Sequence, residues 1–124
     1  GAHGKEHYWE AVDGCFRSIP KRYVLGYRIE YWPQSENNLR KMMDRCGLER
    51  LRFKRVIWRN HFPAGGDAFD FFAAISGSFW YDKVPRDKVE RVAEKMRRYF
   101  IDKEILQVTD DVIFGYGIKP ARRI

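Results

Sequence analysis

His61 is the side chain whose position most suggests chemistry. In WRNHF it follows a stretch that reads as a strand, and it is the one histidine far from the first residues of the chain. An imidazole there can serve as a general base, taking a proton from a hydroxyl or an amine. No partner at a recognisable spacing would orient it, so a surface or capping histidine is the competing reading. Asp110-Asp111 is a second candidate pair. Neighbouring side chains on a strand point to opposite faces, however, and a turn accounts for the two acids more economically. Phe69, Phe72, Phe79, Trp80 and Tyr81, with Tyr27, Tyr31 and Trp32, supply flat apolar surface with a few polar handles, suited to a pocket for an aromatic or lipid-like molecule. Ordinary core is the alternative for each. Trp32, Trp80 and Tyr81 are favoured for the pocket because each stands at the end of an element. Neither the cysteines nor the histidines are spaced as metal ligands, and no local motif suggests a Ser-His-Asp or Cys-His arrangement.

Charge gives a different kind of candidate. Between Arg40 and Arg59, eight cations (Arg40, Lys41, Arg45, Arg50, Arg52, Lys54, Arg55, Arg59) stand against Asp44 and Glu49, a local net of +6 in a chain of formal net charge +7. With Phe53 and Trp58 interleaved, this stretch suits a small basic module for RNA or another anionic partner. A solvated strand face competes, because alternate residues of the same stretch are apolar and needed by a core.

Positioning these residues falls to a chain of 124 residues, 44% hydrophobic and 16% aromatic, which has the material for one domain with a core. The opening Gly-Ala-His-Gly reads as partly a cloning remnant. Cys15 and Cys46 sit on helical segments and are expected as buried, reduced thiols. With no run of about 18 apolar residues and no signal-peptide pattern, a soluble, cytoplasmic protein is expected, with no membrane span.

Periodicity places the elements. Tyr8, Trp9, Val12, Phe16 and Ile19 recur at helical spacing and predict a helix over 5–19, weakened by Gly14. Residues 23–32 alternate as an extended segment stopped by Pro33, or form a loop with aromatic anchors. Ser35 can cap a helix with the stripe Leu39, Met42, Met43 and Cys46, ended by Gly47. LERLRFKRVIW (48–58) reads as a strand. After a turn at Pro63-Ala64-Gly65-Gly66, Asp67 can cap an aromatic helix that ends near Gly77. Residues 86–103 form an amphipathic helix with Val89, Val92, Ala93, Met96, Tyr99 and Phe100 on its stripe. A strand over 111–118 closes the order. The class is α+β, a small, mainly antiparallel sheet covered by about four helices.

Two of these segments resemble one family. LRKMMDRCGLERLRFKRV (39–56) resembles the late element of class I S-adenosylmethionine-dependent methyltransferases in which a leucine helix, a glycine and a strand follow one another. VTDDVIFGYGIKP (108–120) resembles their last strand, which slots beside the preceding one. DAFDFFAAISGSFWYDKVP (67–85) resembles the insert of small-molecule enzymes of the quinone-methylating type, so that 63–107 would cover a small apolar or aromatic acceptor. The resemblance spans roughly residues 30–120, and the motifs are moderately specific, since helix-glycine-strand is common in α/β proteins. The family's opening strand, its acidic glycine-rich loop and the acidic residue closing the second strand are absent. AGGDAF (64–69) has two glycines but reads as a turn and helix cap.

What the resemblance implies is therefore the C-terminal, acceptor-recognising part of a methyltransferase, at the end of a Rossmann-like sheet. S-adenosylmethionine belongs to the parent enzyme, none is bound by this chain alone, and the chain is not expected to transfer methyl groups by itself. Two strands alone are marginal, with unpaired edges. Either the missing N-terminal cofactor-binding half or a homo-oligomer is then expected to cover them.

Overall fold

A computed structural model describes residues 1–20, 34–81 and 84–121, with the side chains of residues 13, 16 and 76–81 outside that description. The elements in chain order are β1 (Ala2–His3), α1 (Trp9–Ser18), α2 (Glu36–Arg45), β2 (Glu49–His61), α3 (Gly65–Tyr81), α4 (Arg86–Asp102) and β3 (Gln107–Ile118). The protein is α+β, with four helices and a three-stranded antiparallel sheet in the order β1-β3-β2 among the described residues. The two long strands, β2 and β3, lie side by side. No described helix is long and apolar enough to cross a membrane. The extended segment read over 23–32 lies outside the described residues.

The chain divides into two compact units, Gly1–His7 with Arg28–Trp58 and Asp110–Ile124, and Tyr8–Tyr27 with Arg59–Thr109. In the first unit, β1 pairs antiparallel with β3, Ala2 opposite Ile113 and His3 opposite Val112. The opening residues thus carry a strand. Ser35 caps α2 as expected, its Oγ accepting the Asn38 N–H at 3.1 Å, and Gly47 follows the helix at φ 78°. Leu39 and Met43 reach Gly115 of β3, where a Cβ would stand 2.6 Å from the Met43 sulfur, so the glycine lets the helix close on the strand. Met42 and Cys46, expected in the same stripe, are exposed. A single short helix on a strand buries only the two rows nearest the sheet.

The second unit holds the aromatic core. Phe69 and Phe72 of α3 pack on Phe100 of α4, with ring centroids 5.5 and 5.7 Å apart. Val92, Met96 and Phe100, predicted for the buried stripe of α4, are all buried. α1 begins at Trp9, four residues later than its periodicity predicts, because the Tyr8 N–H donates to the Thr109 carbonyl of β3 at 2.8 Å and Tyr8 adopts a left-handed φ of 53°. Trp9 is consequently exposed, and Ala11 takes the core position. Cys15 packs against this core, and burial pushes its thiol up to about 12.

α3 starts at Gly65, so Gly65-Gly66 is not the predicted turn and Asp67 lies in the first helical turn instead of capping it. Contact with α4 explains the difference. A Cβ on Gly65 would stand 2.5 Å from the Phe100 carbonyl oxygen, and one on Gly66 would stand 2.7 Å from Nη2 of Arg97. The second obstacle is a flexible side chain, the first is backbone. Gly65→Ala is therefore expected to cost about 1–3 kcal/mol, with Gly66→Ala losing less, as read from urea midpoints at constant m.

Candidate functional site

Among the described residues of the first unit a polar group centres on Asp111, read from sequence as half of a turn but found within β3. Alternation along VTDDVIF puts Asp111 and Ile113 on one face and Asp110 and Val112 on the other. Asp111 is 0% exposed. A carboxylate so placed needs donors on both oxygens. Arg55 of β2 supplies a fork, Nε donating to Oδ1 at 2.9 Å and Nη2 to Oδ2 at 2.5 Å, and the Glu6 N–H donates to Oδ2 at 2.9 Å. The Arg55 guanidinium holds the Asp111 carboxyl below the usual carboxylate range despite its burial.

The backbone of Asp111 is also engaged. Its carbonyl accepts the Gly4 N–H at 2.9 Å, and its N–H donates to Nδ1 of His7 at 3.1 Å. A Cβ on Gly4 would run into the Asp111 carboxylate, so only glycine fits. Because Nδ1 of His7 accepts, the ring's proton sits on Nε2. His7 is buried, and its desolvation, aided by His3, pushes its pKa down to about 4. The His3 ring lies 3.7 Å from that of His7, and burial lowers its pKa too. Both imidazoles are neutral at pH 7.

This arrangement positions; it does not abstract protons. Both Asp111 oxygens are occupied by strong donors and the group stays ionised, so it is a poor base at neutral pH. What it does is fix the turn at 4–7 onto β3. A separate network in the second unit does the same for α1. The Glu10 carboxylate accepts from the Thr109 N–H at 2.8 Å, the Thr109 hydroxyl at 2.6 Å and the Gln107 amide at 2.8 Å.

The residues picked out by sequence are distributed as follows. His61 is the last residue of β2 and is exposed, and nothing among the described residues orients it. Phe69 and Phe72 belong to the core of the second unit. Phe79, Trp80 and Tyr81 fall on the last turn of α3, their side chains outside the description, and Tyr27, Tyr31 and Trp32 lie outside the described residues. Of that set the structure brings together Phe69 and Phe72. Among the basic stretch, Arg40 lies over the Phe53 ring at 4.5 Å, Arg55 is held by Asp111, and Arg59 donates to the Thr109 hydroxyl at 3.3 Å.

Sequence reasoning set Asp111 aside as half of a turn, placed Arg55 only in a basic stretch, and passed over His3 and His7. One signal was available: an acid inside an apolar strand is rarely buried without a cation, and the neighbouring strand carries several. Among the described residues no group of three or more His, Cys, Asp or Glu is placed to hold a metal ion. Neither the models of known protein families nor the curated proteins yield a match to this chain.

Proposed function

We propose that the chain is the C-terminal, acceptor-recognising part of a class I S-adenosylmethionine-dependent methyltransferase. Connectivity carries this reading. β2 follows α2 directly, the two helices of the 63–107 insert come next and pack on each other, and β3 returns antiparallel beside β2. That is the order the resemblance implies.

S-adenosylmethionine would supply the methyl group, but the described glycines of this chain do not fit it. The close backbone approach such a cofactor needs is made by glycines. Here Gly4, Gly14, Gly65, Gly66, Gly115 and Gly117 each abut protein atoms where a Cβ would press, and Gly47 serves as a left-handed cap. AGGDAF in particular is filled by α4. In this reading the cofactor is held by the cofactor-binding half that the resemblance implies.

In this reading the candidates for recognising a small apolar or aromatic acceptor are Phe79, Trp80 and Tyr81 and, taken separately, Tyr27, Tyr31 and Trp32, while Phe69 and Phe72 belong to the core of the second unit. His61 is, in this reading, the candidate to take the acceptor's proton. A cytoplasmic location belongs to the same reading. The sheet ends at β2 among the described residues, and its outer edge is to be covered by the cofactor-binding half or by a second copy of the chain.

Calorimetric titration tests the division of labour: saturable micromolar binding of S-adenosylmethionine to this chain alone would overturn it. Titration with 1-naphthol, followed by tryptophan fluorescence, tests the acceptor site. Saturation that is insensitive to salt and weakened by Trp80→Ala is expected, whereas failure to saturate overturns acceptor recognition by this chain.

A further inference from the structure

In the first unit, α2 meets one face of the paired strands β2 and β3. Phe53 and Gly115 lie on that face, against Arg40, Leu39 and Met43. Alternation then puts Arg52, Lys54, Val56 and Trp58 of β2 and Asp110, Val112, Phe114 and Tyr116 of β3 on the other face, with Phe114 half-buried and Asp110 six residues along β3 from Tyr116. Trp58 is 47% and Tyr116 57% exposed, far more than such rings usually are. Arg52 and Lys54 are exposed as well, and Arg50, at a left-handed φ of 53°, adds a third cation at the start of the strand. Arg40, Arg55 and Arg59 of the same stretch are engaged by Phe53, Asp111 and Thr109, whereas Arg50, Arg52 and Lys54 have no ion-pair partner among the described residues.

We propose that this face binds single-stranded nucleic acid, with bases stacked on Trp58, Phe114 and Tyr116 and phosphates neutralised by Arg50, Arg52 and Lys54. The inference goes beyond the methyltransferase reading and does not depend on it. The choice of occupant follows from the mixture of side chains. An apolar helix laid on the rings would desolvate three cations that no described residue pairs. An acidic peptide would answer the cations and leave the rings in water. A single strand answers both, because every base has a π-face and every nucleotide a phosphate. A duplex does not, since its bases are already stacked on one another and flat rings on a sheet cannot reach between them. A sheet face of this kind accommodates roughly two or three bases.

The test is fluorescence anisotropy of an end-labelled oligouridylate 12-mer titrated with the intact chain. Saturable binding is expected at about 50 mM salt, falling as salt rises with a log–log slope near −2, about −0.7 for each of three phosphates. Trp58→Ala and Tyr116→Ala each weaken binding roughly fivefold or more without changing the slope. Arg52→Ala and Lys54→Ala each reduce the slope by about 0.7. All four positions are exposed, and thermal melting of each variant checks that the fold is kept. Three results overturn the proposal: no saturation at about 50 mM salt; affinity unmoved by both aromatic substitutions, which reduces the effect to general polycation binding; or sedimentation showing a dimer that Trp58→Ala or Tyr116→Ala dissociates, which makes a second copy the occupant.

Discussion

Arg55→Ala is expected to lower the unfolding free energy at pH 7 by about 2–4 kcal/mol. Most of that loss comes from what is left behind. Asp111 has no solvent exposure, and without the guanidinium its carboxylate keeps only the Glu6 N–H. Breaking a buried pair from one side costs about 3–5 kcal/mol as a rule. The Arg55 side chain is 46% exposed, so its removal admits water to the carboxylate and the lower range applies. The ion pair of Arg55 with Glu6, at 3.6 Å and half exposed, adds little. Arg55→Lys should fall between, since one ammonium cannot make two parallel bonds. Urea unfolding at pH 7 and again below pH 4 provides the check. In the wild type the depressed Asp111 pKa stabilises the fold above the ordinary carboxyl value of 3.8 and that contribution is lost as pH falls through the folded value. The gap between wild type and Arg55→Ala must therefore shrink in acid. Equal midpoints at pH 7 would show that the carboxylate is not dependent on its arginine.

What the sequence discloses and what it hides divide along the range of the interactions involved. The buried stripe of α4 is legible because Val92, Met96 and Phe100 repeat every four residues and each turn repeats the message. The Ser35 cap and Gly47 are legible because cap and helix are within a few residues of each other. Asp111 is not, because the group that turns an acid into a buried strand residue lies 56 positions earlier, in Arg55. Local propensity sees two adjacent acids and returns a turn.

The start of α1 fails for the same reason. Residues 5–8 have helical periodicity, yet the N–H groups of Gly4 and Tyr8 are bonded to carbonyls of Asp111 and Thr109 at 2.9 and 2.8 Å, more than a hundred positions further along the chain. At Gly65-Gly66 the glycine signal is real and its usual meaning is wrong: the residues are small so that two helices can approach. Of the chemistry-bearing candidates, His61 attracted notice by following a strand, and among the described residues nothing orients it. His3 and His7 gain their perturbed environment from burial against a strand that sequence spacing cannot connect to them.

Between pH 6.5 and pH 4 the protein is expected to lose roughly 3 kcal/mol of stability through His7 alone, because folding pushes its pKa down from 6.5 to about 4. The direction follows from which state holds the extra proton. In the unfolded chain His7 titrates near 6.5, and in the folded protein near 4, because burial and the neighbouring His3 ring oppose its charging while Asp111 only partly favours it. Above pH 6.5 the imidazole is neutral in both states and the contribution is constant. As pH falls from there to 4, the unfolded state takes up a proton that the folded state refuses, so unfolding is favoured. His3, also shifted down by burial, pulls the same way. Protonating His7 additionally removes the acceptor of the Asp111 N–H, since Nδ1 would then carry a hydrogen. Below pH 4 this contribution levels off, and the Asp111 carboxylate takes over. His7→Asn separates the two phases, because an amide oxygen can still accept the Asp111 N–H but does not titrate. In that variant the slope of unfolding free energy against pH between 6.5 and 4 should be largely flattened, while the drop below 3.8 persists. Urea titrations at half-unit intervals of pH measure both; an unchanged upper slope in His7→Asn would mean that the imidazole is free to charge in the folded protein.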